Sequence, residues 1–337
     1  MPFTGAFSHL DKDQRRVGCA HDEVDFTAAT ARRPIIARDQ AQALALQILQ
    51  GLVFSSIAHP LGGGFAIWWF WYKETHVSAL FSAALAAADQ AASGQHYPQG
   101  TLYVVATPIG NLADISLRAL HVLSLCDTLA CEDTRHSQTL LRAYGIDKSS
   151  SHWLAVHQHN EAEAAEEVIR RLQAGQRVAY VSDAGTPAVS DPGARLAWQV
   201  QRAGLRVMPL PGASSVTALL SACGTPAHDS SGFIFVGFLP SKATERSHAV
   251  ELLAHEPRTQ VLLEAPHRIE ALASALALLG ERPVTIGREL TKQFEEIATV
   301  AAQDLTAWFQ GNAQRTRGEF ALVIHAQILA RAEGADN

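Results

Sequence analysis

The sequence contains few cysteines, few lysines and no long uninterrupted apolar run. None of its four cysteines belongs to a CxxC pair, and none lies at a zinc-ligand spacing from a histidine. This pattern predicts reduced thiols, as in a cytoplasmic protein, and no metal site. The four residues are Cys19, Cys126, Cys131 and Cys223.

The most apolar stretch covers residues 43–72 and ends in a run of aromatic side chains. A transmembrane helix needs roughly twenty consecutive apolar residues, but Gln47, His59 and the glycines at 62–64 interrupt this stretch. It also lies too far from the amino terminus for an ordinary secretory signal peptide. We therefore expect a cytoplasmic protein with no membrane partner.

Charge and length limit the class of protein further. The formal net charge of −6 argues against indiscriminate nucleic-acid binding but permits a local basic face on a folded domain. Only five lysines are present, so arginine carries most of the positive charge, and arginine suits bidentate contacts with phosphate. A chain of 337 residues is long enough for two domains.

Residues 1–99 differ in pattern from the rest of the chain. Residues 1–40 show no sustained period, and residues 77–92 form an alanine-rich, weakly amphipathic helical pattern. We predict that most of residues 1–99 is an amino-terminal extension outside the folded domains. It is expected to be disordered, or to result from a start codon assigned too early.

From Gly100 onward, apolar strand-like runs alternate with helical patterns, which is typical of an α/β fold with a mostly parallel sheet. We predict one α/β domain over residues 100–223 and, through a linker that begins at Gly224, a second over residues 224–330. Strands of the first domain are predicted at 102–106, 128–131, 153–156, 177–181 and 206–210. Those of the second are predicted at 233–237, 260–264, 284–287, 296–300 and 320–325.

The loop at residues 182–193 is the most informative segment of the chain. It follows the apolar strand predicted at 177–181, and its twelve residues include two each of Gly, Pro, Asp and Ser. A plain strand-to-helix connection needs only about two to six residues, and ligands bind at the carboxyl ends of strands in α/β proteins. We therefore predict a ligand-binding loop here.

Other polar loops follow predicted strands. The sequence TPIGNL at 107–112 resembles a nucleotide-binding turn, but the GxGxxG fingerprint is absent, which argues against a conventional dinucleotide site. Further loops carry paired acidic and basic groups: EDTRH at 132–136, LPSK at 239–242, EAPHR at 264–268 and RELTK at 288–292. Brought together in an interdomain cleft, these loops would form a ligand site with basic groups for phosphate.

These motifs resemble a known family in their order and spacing. The series TPIGNLADIS, CEDTRHS, VSDAGTPAVSDPG, PLPGASS, GFLPSK, EAPHR and RELTK is similar to that of the small-subunit ribosomal RNA methyltransferases of the tetrapyrrole methylase superfamily. The resemblance covers roughly residues 100–326 and implies two α/β domains with S-adenosylmethionine in the cleft between them. It also implies a cytoplasmic homodimer. The implied reaction methylates the ribose 2′-hydroxyl of a cytidine in 16S ribosomal RNA, near the decoding centre of the small ribosomal subunit.

The resemblance also implies roles for individual residues. The cofactor-binding residues would be Ile109, Gly110, Asp183, Ala184, Gly185, Ser214, Ser215, Glu264 and Leu290. The candidates for binding RNA phosphates are Arg135, His267, Arg268 and Arg288.

Catalysis of this reaction requires an aid to deprotonation. A ribose hydroxyl is a weak acid, so a nearby base, or a cation that stabilises the developing alkoxide, should accelerate methyl transfer. The catalytic candidates are Glu132, His136, Lys242 and Lys292, with Asp133 and Glu289 beside them in the same motifs.

Three other interpretations remain open. A tetrapyrrole methyltransferase has the same fold, but such enzymes carry GxGPGD and Gly-Asp-Pro loops where this chain has TPIGN and SDAGTP. A non-enzymatic nucleic-acid-binding module is disfavoured by the acidic charge balance and the absence of basic runs. A nicotinamide oxidoreductase is disfavoured by the missing glycine fingerprint.

Overall fold

The computed structural model describes residues 81, 83–157, 160–190, 193–224 and 232–327, all within one compact unit that spans residues 65–337. No helix in these ranges is long and apolar enough to cross a membrane. The apolar stretch at 43–72 and most of the predicted linker, residues 225–228, lie outside the described residues.

The first sheet has five parallel strands in the order β3-β2-β4-β1-β5. The strands are β1 Thr101–Val105, β2 Thr128–Cys131, β3 Trp153–Ala155, β4 Val178–Val181 and β5 Arg206–Leu210. The helices between and after them are Leu117–Leu125, Thr134–Ala143, Glu161–Gln173, Ala194–Arg202 and Ser215–Cys223. Because β2 and β4 are buried along their whole length, they read as continuous apolar runs. The α/β prediction is confirmed.

The second sheet also has five strands, in the order β6-β7-β10-β8-β9. The strands are β6 Phe233–Gly237, β7 Thr259–Glu264, β8 Pro283–Arg288, β9 Glu296–Ala301 and β10 Phe320–Ile324. The helices are Ala243–His255, Ile269–Leu276 and Leu305–Gln310.

The mostly parallel pairing expected from the sequence is wrong for this second sheet. Only β6 and β7 pair in parallel, and the other three pairings are antiparallel. Residues 289–295 join β8 to β9, and a parallel connection would need a crossover of a dozen or more residues. A connection of this length therefore forces β9 to run back along β8.

An apolar cluster joins the two sheets. Val216 and Leu219, from the helix Ser215–Cys223, pack with Val261 of β7 and Val323 of β10. A Cβ on Gly287 of β8 would lie 2.7 Å from Cδ1 of Leu219, so glycine permits this close approach. The elements of the first sheet end at Cys223 and those of the second begin at Phe233, on either side of the predicted linker. The division of the chain into two domains stays a prediction.

The folded part of the chain begins before Gly100. Residues 83–92 are helical, and Ala88, Ala92 and Tyr97 are buried in the core of the first sheet. The hydroxyl of Tyr103 in β1 donates to the carbonyl of Pro98 at 2.9 Å. The sequence boundary at Gly100 therefore comes too late, because an alanine-rich helix has a weak apolar signal even when it is packed. Residues 1–80 lie outside the described residues.

We expect Leu85→Ala to lower the free energy of unfolding by about 1–2 kcal/mol. Leu85 is partly buried against this core, so its truncation should cost less than that of a fully buried leucine. Gln90→Ala, at an exposed position of the same helix, should change stability by less than about 0.5 kcal/mol. Urea unfolding of both variants makes the comparison, and equal losses would contradict the packing of this segment.

The cysteines of the described ranges are free thiols. Burial raises the pKa of Cys126 to about 12 and that of Cys131 to about 11. Both therefore stay protonated and serve as small apolar core side chains. Cys19 lies outside the described residues.

Candidate active site

The loops after β1 and β4 are bonded to each other. Thr107 and Gly185 exchange two backbone hydrogen bonds, of 2.9 and 3.0 Å, and the hydroxyl of Thr107 donates to the carbonyl of Ser182 at 3.3 Å. Gly185 has φ +78°, a conformation that favours glycine. Because β1 and β4 are parallel neighbours, their carboxyl ends bring both glycine-containing motifs to one edge of the sheet.

The loop after β5 closes against the same edge. A Cβ on Gly212 would lie 2.8 Å from Cβ of Ala106, so only glycine allows the loop to approach β1 this closely. The hydroxyl of Thr186 donates to the carbonyl of Ala213 at 3.1 Å. Three sequence motifs therefore form one continuous wall.

The end of the long loop is held by a buried carboxylate that the sequence analysis did not assign to it. Oε1 of Glu161 accepts hydrogen bonds from the backbone nitrogens of Gly193 at 3.1 Å and Leu196 at 3.4 Å. Glu161 lies in the acidic first turn of the helix Glu161–Gln173. In the structure this glutamate satisfies the amino-terminal N–H groups of the next helix.

Glu264, at the end of β7, supplies a buried carboxylate from the second sheet. Its Oε1 accepts from the backbone nitrogen of Ala265 at 2.9 Å and lies 3.0 Å from Nε of Arg268. The guanidinium of Arg268 also donates to the carbonyl of Leu239. The other carboxylate oxygen, Oε2, is buried and has no hydrogen-bond partner in the described part of the chain. That oxygen can accept from a ligand.

The connection between β8 and β9 carries an ion-pair cluster. The ammonium of Lys292 lies 2.9 Å from Oε1 of Glu289 and 3.1 Å from Oε2 of Glu319. Both Glu289 (φ +50°) and Thr291 (φ +67°) adopt left-handed backbone conformations, which are strained for residues other than glycine and occur often at functional sites.

Electrostatics favour the charged forms of Lys292 and Glu289. Burial alone would lower the pKa of Lys292, but its hydrogen bonds to Glu289 and Glu319 hold that pKa above the ordinary value. Burial alone would raise the pKa of Glu289, but the hydrogen bond from Lys292 holds it below the ordinary value. Lys292 is therefore a fixed cation at neutral pH and cannot serve as a general base.

Lys292 also touches the first sheet's loops. A Cβ on Gly110 would lie 2.4 Å from Cγ of Lys292, so the lysine stem crosses the TPIG loop at the point where a side chain is missing. The absence of a side chain at Gly110 thus lets residues from both sheets meet.

A cavity of about 310 Å³ lies between these loops. Its walls contain seven of the nine predicted cofactor-binding residues: Ile109, Ala184, Gly185, Ser214, Ser215, Glu264 and Leu290. Gly110 lies beside it, under Lys292. Asp183 precedes the lining residue Ala184, and its buried Oδ1 has no hydrogen-bond partner among the described residues. Loops from both sheets thus meet around a single cavity.

None of the four predicted catalytic residues lines this cavity. Lys292 lies next to it, because its partner Glu319 is one of the lining residues. Glu132 and His136, which follow β2, are not among the lining residues, and neither is Lys242, which is exposed and paired with Glu245 at 2.9 Å.

Asp133, which follows Glu132 in the loop after β2, stabilises the start of the next helix. Asp133 caps the helix Thr134–Ala143, and its carboxylate pairs with Arg135 at 3.0 Å. The hydrogen bonds from Arg135 lower the pKa of Asp133 to about 2.

The four candidates for binding RNA phosphates differ in burial and in their hydrogen-bond partners. Arg288 is only 8% exposed and donates to the carbonyls of Arg317 at 2.7 Å and Phe294 at 3.1 Å. Its assignment to RNA phosphate is therefore corrected, since this guanidinium supports the backbone of the β8–β9 connection at Phe294 and of the segment before β10 at Arg317. Arg268 is engaged by Glu264, as described above. Arg135, although paired with Asp133, and His267 are exposed, so both stay candidates for binding phosphate.

Several lining residues were missed by the sequence analysis. They include Thr186, Val189, Phe238 and Glu319. Phe238 belongs to the GFLPSK motif and Val189 to the loop at 182–193. The motifs therefore predicted the segments that form the cavity but not these two side chains. Glu319 precedes β10 in an unremarkable segment, and only the pairing of β10 with β8 brings it to Lys292.

Fold and site together define an α/β ligand-binding protein whose cavity is built from strand-end loops of two sheets. The model of the family "Tetrapyrrole (Corrin/Porphyrin) Methylases" matches residues 101–306. A solved structure of a cobalamin biosynthetic enzyme, cobalt precorrin-4 methyltransferase, superposes with a TM-score of 0.50 at 20% identity, covering 68% of this chain and 98% of that one.

Relatives with closer sequences have one name in common. The protein "Ribosomal RNA small subunit methyltransferase I" of Escherichia coli O157:H7 is 45% identical over 228 residues, which cover 67% of this chain and 78% of the relative. Its namesake in Pseudomonas aeruginosa is 47% identical over 227 residues, with the same shares covered. The chain therefore belongs to the tetrapyrrole methylase family, in its ribosomal RNA small subunit methyltransferase I branch, and is a methyltransferase.

Proposed function

We propose that this protein transfers a methyl group from S-adenosylmethionine to the ribose 2′-hydroxyl of a cytidine in 16S ribosomal RNA, near the decoding centre. The observation that carries the proposal is the cavity walled by the TPIG, DAGT and Pro-Gly-Ala-Ser-Ser loops. The chain that builds this cavity is 45–47% identical to proteins named as ribosomal RNA small subunit methyltransferases.

The residues of the cavity fit S-adenosylmethionine chemically. The buried Oε2 of Glu264 has no hydrogen-bond partner among the described residues, and a carboxylate oxygen accepts hydrogen bonds from ribose hydroxyls or amino groups. Apolar walls at Ile109 and Leu290 suit an adenine ring. Ser214 makes no capping hydrogen bond with its side chain, so its hydroxyl is available to polar groups of the ligand.

The chain's own contribution to the reaction is positioning and electrostatics. S-adenosylmethionine supplies an electrophilic methyl group on its sulfonium. The three locked loops of the first sheet hold the cavity's shape, so binding fixes the reactants without rearrangement of the wall. Lys292, kept protonated by Glu289 and Glu319, provides a fixed positive charge that stabilises the negative charge developing on the ribose oxygen. The proton of the hydroxyl passes to solvent as the oxygen takes the methyl group.

Glu264→Gln is expected to weaken S-adenosylmethionine binding by about tenfold or more, since a hydrogen bond to a charged group contributes about 1.5–3 kcal/mol. Isothermal titration calorimetry measures the change. Glu270→Gln, at an exposed position of the following helix, is the matched control and should bind normally. Unchanged affinity in Glu264→Gln would remove this carboxylate from the cofactor site. A thermal melt accompanies the titration because Glu264 also pairs with Arg268.

The proposal extends to the setting of the enzyme. We expect it to act in the cytoplasm as a homodimer, on RNA in the assembled small ribosomal subunit, with exposed Arg135 and His267 near the phosphates. Family resemblance supports these points. A tetrapyrrole substrate is not favoured, because the tetrapyrrole enzyme compared above has 20% identity and shares the fold alone.

The deciding experiment is transfer of labelled methyl from S-adenosylmethionine to small ribosomal subunits that lack their native modification, with the labelled nucleotide mapped. Label on the ribose of a cytidine near the decoding centre supports the proposal. Cofactor binding without label on the subunit would contradict the proposed RNA substrate, and tetrapyrroles would then be the substrates to test. The absence of both would overturn the cofactor assignment as well.

A further inference from the structure

Two exposed apolar side chains stand at the cavity. Val189, from the long loop of the first sheet, is 49% exposed, and Phe238, after β6 of the second sheet, is 52% exposed. The other large apolar residues that line the cavity in the described ranges, such as Leu290 and Phe320, are buried or half-buried. The apolar wall thus ends in one exposed side chain from each sheet.

The backbone around Phe238 is firmly held. Gly237 ends β6 with φ +74°, next to an irregularity in the β6–β7 register. Leu239 is buried in the core of the second sheet, and its carbonyl accepts from Arg268, which pairs with Glu264. The phenyl ring is therefore presented to solvent from a fixed position between two anchored neighbours.

The size of the cavity determines what can reach this ring. A volume of 310 Å³ is at the lower end of the roughly 300–1,000 Å³ typical of small-molecule sites, so the interior holds one ligand molecule. With the proposed cofactor inside, the nucleotide must enter from the rim. Proteins that read unstacked RNA bases stack them on exposed aromatic side chains.

We propose that Phe238 is the platform on which the nucleobase of the target nucleotide stacks, with Val189 bounding the same slot from the other sheet. This inference rests on the proposed function. Stacking at the rim leaves the attached ribose directed to the interior, where the methyl donor is bound. Phe238 is thus a substrate-binding residue that positions the target nucleotide.

The test compares three substitutions of Phe238 on methyl-deficient small ribosomal subunits. Phe238→Ala should raise KM for the subunits by about 5- to 100-fold, the range expected when one base–aromatic stack is lost. Phe238→Trp should keep KM near the wild-type value because it keeps an aromatic face. Phe238→Leu should resemble the alanine variant, because it keeps apolar character without a ring. The affinity for S-adenosylmethionine should stay within about twofold in all three.

Phe233 provides a matched control. It is the same residue type, is 50% exposed, begins the strand that Phe238 follows, and does not line the cavity. Phe233→Ala should leave KM for the subunits unchanged.

Three outcomes would overturn the inference. They are a wild-type KM in Phe238→Ala, an equal KM increase in Phe233→Ala, or a loss of cofactor affinity in Phe238→Ala, which would assign the ring to the cofactor. These results are distinguishable from a failure of the proposed function, in which the wild-type protein itself would not label the subunits.

Discussion

Replacing Lys292 with alanine is expected to lower kcat by about 100- to 1,000-fold, as when one fixed charge or donor is removed from a transition state. Affinity for S-adenosylmethionine should stay within a few-fold, because Lys292 is not among the residues that line the cavity. The physical reason is that the ammonium, held 2.9 Å from Glu289 and 3.1 Å from Glu319, no longer offsets the charge that develops on the ribose oxygen. Methyl-transfer kinetics with saturating cofactor measure the loss.

Lys242→Ala is the control for this prediction. Lys242 was an equal candidate in the sequence, but it is exposed and paired with Glu245, so its removal should leave kcat unchanged. A thermal melt of Lys292→Ala is needed as well, since Glu289 loses its ion-pair partner. Normal turnover in Lys292→Ala, or equal losses in the two variants, would show that this cation has no special role in methyl transfer.

Gly193→Ala should lower the free energy of unfolding by about 3 kcal/mol or more, from backbone strain and overpacking together. At φ +119°, an added Cβ would lie 2.2 Å from Cε1 of Tyr180, a fully buried ring in the strand that leads to the long loop. The ring cannot move without disturbing the core. Because Glu161 caps the helix at this point, we also expect activity to fall at temperatures where the variant is folded.

Gly204→Ala is the control that separates backbone strain from the steric overlap with Tyr180 expected in Gly193→Ala. Gly204 lies at the other end of the same helix with φ +73°, and an added Cβ there meets nothing within 4 Å. It should therefore lose only the conformational term, about 1–2 kcal/mol. Chemical unfolding of both variants gives the difference, and equal losses would show that the Tyr180 ring accommodates the methyl group.

Most element positions were predictable because they depend on local patterns. Strands β2, β5 and β6 have their predicted bounds, since apolar runs and the turn residues that end them act within a few residues. The parallel first sheet followed from the alternation of strands and helices. The motifs and their resemblance to a family led to the cavity, whose walls contain predicted residues such as Ile109 and Ser214.

Three features were not predictable for a common reason. The antiparallel pairing of β10 with both β7 and β8, the packed helix at 83–92 and the structural role of Arg288 each depend on partners distant in sequence. A basic residue in a loop motif has the same local pattern whether it faces solvent or supports a backbone carbonyl.

Local sequence is enough to locate the strands, helices and candidate ligand-binding loops, because glycine, proline and apolar spacing constrain the backbone over a few residues. It is also enough to identify the family, because the order of the motifs is specific. Which charged groups meet depends on the folded arrangement of the two sheets. That arrangement brought Lys292 against Gly110 and between two glutamates, left Lys242 in solvent, and placed Phe238 at the rim. These placements result from the packing of the two sheets across a shared apolar cluster, which joins residues far apart in the chain.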